Sequence, residues 1–382
     1  MLDSELGIAC VVGTRPEVVK LAPVFLRLKR VPALRVRLIA TGQHRGLLDQ
    51  ALDDFSIVSD LDLDLMRPDQ SPAEVASRGL AALAKAFGDD PPALVLAVGD
   101  TTSVLCSALA SFYLRIPFGH VEAGLRTFDL HHPFPEETQR VLVTHLAEFQ
   151  FAPTLAARRH LLREGISESA IHVTGNTVID ALKLCRGASA DDILPDGFVS
   201  FLLVTAHRRE NFGDPMRQIC QAILLILDRD PALKVVWPVH PNPCVRSVVH
   251  ELLGGHPRVL LTEPLAYPLF LAVMAKSFAV LTDSGGVQEE APAFGKRVLV
   301  LRSETERAEV VESGQAELVG TEVSTIVAAV ERLRVANDEA AGACTSPVGD
   351  GWASERIARV LLPKFGLEAG PSPSEFRAVW PG

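Results

Sequence analysis

Short apolar, β-branched runs alternate with helix-length segments along most of the chain: IACVV (8–12), VRLIAT (36–41), LVLAV (94–98), HVEA (120–123), FQFAP (149–153), HVTG (172–175), FLLVTA (201–206), KVVWPV (234–239), RVLLTE (258–263), FAVLTD (278–283) and RVLVLR (297–302). Such alternation predicts βαβ units and parallel sheets with helices on both faces. Eleven runs exceed one modest sheet, and 382 residues suit two domains. The first is expected over 1–172 and the second over 173–351, with the hinge near 168–180. A polar segment at 185–198, containing Gly187, Asp191, Asp192, Pro195, Asp196 and Gly197, reads as a surface loop near the junction. WASERIARVLLPKF (352–365) has helical periodicity, so a C-terminal helix within about 352–382 is expected to pack back on the first domain. The last stretch, EAGPSPSEFRAVWPG, reads as a tail.

Composition narrows the classes. A net charge of −10 argues against nucleic acid or an anionic membrane as a partner, while leaving room for local clusters of Arg and Lys around a phosphorylated small molecule. The N-terminus carries acids where a signal peptide carries bases, and no run approaches the roughly 18 to 20 apolar residues that span a bilayer. A soluble, cytoplasmic protein is expected. The cysteines at 10, 106, 185, 220, 244 and 344 form no CxxC pair, which reads as reduced, packed thiols. His131 and His132 are sequence neighbours without HExxH or carboxylate spacing, so no metal site is expected.

Candidate chemistry sits at strand ends. In IACVVGTRPEVVKLAPV, Gly13 ends a strand, Pro16 opens a helix, and Arg15 and Lys20 lie near the first turn. Such a corner either aims backbone N–H groups and bases at an anion or is a structural turn with solvated bases. In FAVLTDSGGVQEEAPAFGK, Ser284, Gly285 and Gly286 bring bare backbone to a helix start, suited to a pyrophosphate or to plain packing. Glu289 and Glu290 follow, within reach of ribose hydroxyls or simply favoured by the helix dipole. Asp100, Glu122 and Glu136 each follow, or lie within a loop of, a strand of the first half, where proton-transfer groups collect in open α/β sheets. Arg140 lies one turn after Glu136, where an ordinary i,i+4 ion pair is the competing account. His207 ends FLLVTA and opens AHRREN, placed to carry a proton, to donate to a phosphate, or to satisfy loop backbone. His240, in WPVHPNP, has a similar position without neighbouring charge.

Taken together, GTRPEVVKLAPV, TGQHR, GDTTS, GHVEAGLRT, PFPEETQR, TGNTVIDAL, VTAHRREN, VHPNP, LTDSGGVQEEAP and ETER closely resemble, in order and spacing, the non-hydrolysing UDP-N-acetylglucosamine 2-epimerases. The resemblance runs from about Gly13 to Arg307. It implies an α/β protein of two Rossmann-like domains of the glycosyltransferase-B type, the active site in the cleft between them, and UDP held mainly by the second domain. It implies anti elimination of UDP to a 2-acetamidoglucal, then re-addition after reprotonation on the opposite face of C2. By position, Asp100, Glu122 and Glu136 match the essential carboxylates, expected at C2, and His207 the essential histidine, expected at the departing diphosphate. Arg15 and Lys20 match residues near the sugar-phosphate, and Arg140 matches an active-site arginine. Ser284, Gly285, Gly286 and Glu290 match diphosphate and ribose contacts, and Arg307 falls in the matching ETER segment.

No nicotinamide or other cofactor is implied, and relatives are commonly homodimers. Gln43, His44 and Gln70 match residues through which many bacterial members bind a second, activating UDP-N-acetylglucosamine. Gly46 and Asp69 stand where some activated members carry polar or basic groups, which argues against that activation. Three alternatives stay open: a hydrolysing relative releasing N-acetylmannosamine, disfavoured by GTRPE; a 2-epimerase of a diacetamido-dideoxy UDP-sugar, disfavoured by TGQHR; and a UDP-sugar sensor or glycosyltransferase on the same fold, the sensor disfavoured by Asp100, Glu122, Glu136 and His207 together.

Overall fold

The structure is a computed structural model and describes residues 6–42, 45–67, 70–185, 188–336 and 346–369. These fall into two compact units, one within Met1–Cys185 and Val348–Ala378, the other within Arg186–Pro347.

The first unit holds strands β1 (Leu6–Val12), β2 (Leu34–Ala40), β3 (Leu61–Asp62), β4 (Leu94–Val98), β5 (Phe118–Val121), β6 (Phe149–Ala152) and β7 (Ile171–Val173). They form a parallel sheet in the order β3-β2-β1-β4-β5-β6-β7. The inner strands lack polar alternation because both faces are covered: all five residues of β4 are buried, and Ala9, Val11, Val95 and Ala97 pack with Leu83, Phe87 and Phe118. The register Ile8↔Leu94 and Ile8↔Val36 makes β1 the centre from which the order runs both ways. That reversal opens a crevice at the carboxyl ends of β1 and β4, where open α/β sheets bind ligands.

The second unit repeats the logic with β8 (Phe201–Thr205), β9 (Lys234–Pro238), β10 (Val259–Thr262), β11 (Ala279–Thr282), β12 (Val298–Val300) and β13 (Ala316–Leu318), ordered β10-β9-β8-β11-β12-β13. Leu202, Val204, Val235, Trp237 and Leu281 form its core with Ile219, Ile223 and Val245 from the flanking helices. Its reversal lies between β8 and β11, so His207 and Ser284 sit beyond the carboxyl ends of the two switch-point strands.

Every foreseen strand forms, and two were not foreseen. β3 and β13 are edges of two and three residues, too short to show a period. β7 pairs with β6, Gln150 opposite Ile171, so TGNTVIDAL belongs to the first sheet's neighbourhood; the expected limit at 172 falls inside this strand, while the unit runs on to Cys185. The chain re-enters that unit at Val348, and the helix Ala353–Leu361 seats there through the Arg27–Glu355 ion pair and the hydrogen bond from Arg356 Nη1 to Thr174 O at 2.9 Å.

Candidate active site

In the first unit, Thr14 caps the helix Arg15–Lys29 and Pro16 lies in its first turn, which places Arg15 at the start and Lys20 one turn in. Lys20 is 6% exposed and its Nζ pairs with Glu122 Oε1. Glu122 is itself buried and departs from β5 at once: its φ of +64° is left-handed, a conformation that costs a non-glycine residue about 1 to 3 kcal/mol. The foreseen strand HVEA therefore ends at Val121. Gly124, with φ +91°, makes the turn possible; a Cβ there would lie 2.4 Å from the Ala157 carbonyl oxygen. Asn176 donates through Nδ2 to Glu122 Oε1 at 3.0 Å.

Asp100, just past β4, accepts from Arg140 Nη1 at 2.6 Å. Arg140 is buried and also donates to Glu137 Oε2 from Nη2 at 2.6 Å and from Nε at 3.0 Å. Glu137 is fully buried, and its other oxygen accepts the Thr127 and Phe128 N–H groups, each at 3.0 Å. Arg140 thus does more than pair along its own helix: it bridges that helix to the end of β4. Glu136, half-buried, opens the same helix, Glu136–Leu146. Behind β4 and β5, His120 Nε2 donates to Gly99 O at 2.7 Å; burial pushes its pKa down to about 4, so it is a neutral support for the Gly99–Asp100 turn.

The structure decides between the two readings of the Gly13 corner. The Gly13 corner does not offer its N–H groups to an anion, because Glu17 takes them: Oε2 accepts from Gly13 N at 2.7 Å, Thr14 N at 2.6 Å and Thr14 Oγ1 at 3.0 Å, and Oε1 from Thr101 Oγ1 at 2.5 Å. The corner presents the side chains of Arg15 and Lys20 instead. Burial outweighs these donors and raises Glu17 to about 7. The folded chain thus binds that proton more tightly than the unfolded chain. The stability Glu17 contributes is fully present below about 4.5 and is lost as pH rises through about 7. Urea midpoints should fall from pH 5 to pH 8, and Glu17→Gln should flatten that fall; an unchanged slope would contradict this assignment.

The second unit uses the same device. Asp283, fully buried, accepts His207 N at 2.9 Å, Arg208 N at 2.9 Å and Asn211 Nδ2 at 2.9 Å, which pins the β8 corner to the end of β11. The His207 ring stacks on His240 with centroids 5.4 Å apart and planes 18° apart. Burial pushes the His207 pKa below its ordinary value; Asp283 opposes the shift and Arg208 adds to it. His207 is therefore neutral near pH 7, able to give a hydrogen bond from one ring nitrogen and to accept a proton at the other.

Ser284 N donates to Thr282 Oγ1 at 2.9 Å, and Gly285 and Gly286 then open the short helix Gly285–Glu290. A Cβ at Gly285 would lie 2.6 Å from the Arg307 guanidinium carbon, so any larger residue there would displace that arginine. Arg307 is held by Glu289 at 3.0 Å and by Glu306. Burial pushes the Glu306 carboxyl up, but Arg307, Arg302 and Arg208 prevail and hold it well below the usual carboxylate range. Glu290 accepts from Tyr267 OH at 3.0 Å. Of the three residues expected at a second nucleotide site, Gln43 and His44 lie outside the described residues; Gln70 accepts from Arg67 N at 3.1 Å and from Arg78.

Each unit therefore gathers its own set: Arg15, Lys20, Asp100, Glu122, Glu136 and Arg140 in the first, His207, Ser284 to Gly286, Glu290 and Arg307 in the second. Sequence reasoning passed over Glu17, Glu137, Asn176 and Asp283. A signal existed for Glu17, since Thr14-x-x-Glu17 is a capping box. Among the described residues no cluster of His, Cys, Asp and Glu is arranged to hold a metal ion, and no helix is long and apolar enough to cross a membrane.

Two parallel-sheet units with charged switch-point corners define a two-domain α/β protein of the glycosyltransferase-B type; a glycosyltransferase of kitacinnamycin, 14% identical at a TM-score of 0.58 over 92% of this chain and 93% of its own, shares that fold alone. The chain belongs to the UDP-N-acetylglucosamine 2-epimerase family, whose model matches residues 26–362. The UDP-N-acetylglucosamine 2-epimerase of Escherichia coli K12 is 44% identical over 93% of this chain and 98% of its own. The crystal structure of UDP-GlcNAc 2-epimerase from Neisseria meningitidis bound to UDP-GlcNAc is 40% identical, with a TM-score of 0.88 over 94% of this chain and 100% of that one.

Proposed function

We propose that this epimerase interconverts UDP-N-acetylglucosamine and UDP-N-acetylmannosamine without net hydrolysis, UDP being held chiefly by the second unit. A carboxylate removes the C2 proton, the C1–O bond breaks, and UDP leaves a 2-acetamidoglucal. Protonation of C2 from the opposite face and return of UDP to C1 complete the inversion. C2 is weakly acidic, so the barrier falls through a placed base together with stabilisation of the departing diphosphate.

The observation that carries this reading is the pair of switch-side carboxylates, Asp100 beyond β4 and Glu122 beyond β5, each bonded to its own buried cation. Asp100, Glu122 and Glu136 handle protons at C2, with Arg15, Lys20 and Arg140 balancing the anionic substrate. His207, Ser284, Gly285, Gly286, Glu290 and Arg307 serve the diphosphate and ribose. The chemistry calls for no metal or nicotinamide; we read the enzyme as a cytoplasmic homodimer, as the resemblance implies, while Gly46 and Asp69, which depart from the pattern of the activated members, argue against activation by a second nucleotide.

Proton NMR of the enzyme with UDP-N-acetylglucosamine in deuterium oxide tests the proposal. The expected result is loss of the C2 proton signal together with growth of the epimeric sugar nucleotide. Accumulation of free N-acetylmannosamine would move the assignment to the hydrolysing reaction, and the absence of deuterium at C2 would overturn it.

A further inference from the structure

We infer that Asn176 is a positioning residue for Glu122 and ties it to the place where the chain re-enters the first unit. The inference rests on the epimerisation proposed above.

Asn176 follows β7 and is 2% exposed. Its Oδ1 accepts Val178 N at 3.0 Å and caps the helix Thr177–Leu184. Its Nδ2 donates to Glu122 Oε1 at 3.0 Å, and its backbone N–H donates to Val348 O at 2.7 Å. A carboxamide suits this post because it offers an acceptor to the helix end and a donor to a carboxylate from one planar group; Asp offers only acceptors when ionised, and Ser or Thr is shorter. Glu122 needs such support. It stands in a left-handed backbone conformation just beyond its strand, and Lys20 and Asn176 meet on one of its oxygens.

Asn176 is in turn part of a socket for the returning chain. Arg356 Nη1 donates to Thr174 O at 2.9 Å, and Lys183 Nζ to Asp350 O at 3.0 Å and Gly351 O at 2.7 Å. Asp180 accepts Ala353 N at 3.1 Å, Ser354 N at 2.8 Å and Ser354 Oγ at 2.5 Å. The stretch from Thr174 to Lys183 therefore reads the position of 348–356, and Asn176 is the member that also touches Glu122. The orientation of Glu122, one of the three carboxylates proposed to handle protons at C2, thus depends on the seating of the segment that returns from the second unit.

Asn176→Ser and Asn176→Thr test this, because each keeps a capping oxygen but is too short to reach Glu122. Both are expected to lower kcat for C2 epimerisation about 10- to 100-fold, with KM within about twofold and Tm close to that of the unaltered enzyme. Asn176→Ala is expected to lower both kcat and Tm. Unaltered kcat in the Ser and Thr variants would overturn the inference. So would a kcat loss that merely tracks Tm, or failure of both variants to fold, either of which reduces Asn176 to a helix cap. Absence of C2 exchange in the unaltered enzyme is a different failure, that of the proposed reaction.

Discussion

Glu122→Gln is expected to lower C2 deuterium exchange by about 10²- to 10⁴-fold, the range contributed by a placed acid or base. The carboxamide keeps the shape and an acceptor for Asn176, but it neither takes the C2 proton nor balances the nearly buried Lys20 ammonium. UDP affinity, read by calorimetry, should stay within about a factor of two, because the groups assigned to the nucleotide belong to the other unit. Exchange at the unaltered rate would remove Glu122 from the chemistry, and a large loss of UDP affinity would instead make it a binding group.

Arg140→Met should have the largest effect on stability. The guanidinium joins Glu137, 1% exposed at the side chain, to Asp100, 29% exposed. Its removal leaves a buried carboxylate with two N–H donors and no cation. Breaking a buried pair from one side typically costs about 3 to 5 kcal/mol, which corresponds to a fall in Tm of roughly 10 °C for a unit of this size. Asp100 is exposed enough to be hydrated, so Glu137 carries most of the penalty. Adding Glu137→Gln to Arg140→Met should therefore restore much of the Tm, since the neutral carboxamide removes the unpaired buried charge and keeps an acceptor for the Thr127 and Phe128 N–H groups. It should not restore turnover, because Asp100 still lacks its donor. A single variant that melts with the unaltered enzyme would show that the pair adds nothing to the fold.

The limits of the sequence reading show at particular residues. LVLAV and FLLVT announced buried parallel strands because neither face meets water, so apolar character ran unbroken. β3 and β13 escaped because two or three residues at a sheet edge carry no period. TGNTVIDAL was matched to the family but placed in the second domain, since nothing local says which sheet a three-residue strand joins; its pairing with β6 decides that. The Gly13 corner stayed open between anion binding and a structural turn, because glycine and a helix start are visible in sequence and fit both. The acceptor of those donors, Glu17, was legible as a capping box, but its burial beneath Thr101, 84 positions on, was not.

The chain's own pattern determined the βαβ alternation, the two-unit organisation and which charged side chains stand at strand ends, since period and strand-end position are local properties of a sequence. Tertiary structure decided the partners: Lys20 with Glu122, Arg140 with both Glu137 and Asp100, and Asp283 beneath His207. The physical reason is burial. A charged side chain taken out of water needs a partner of opposite charge or a set of donors at a fixed distance, and sheet order, which brings β4 beside β1 and β11 beside β8, is what supplies it.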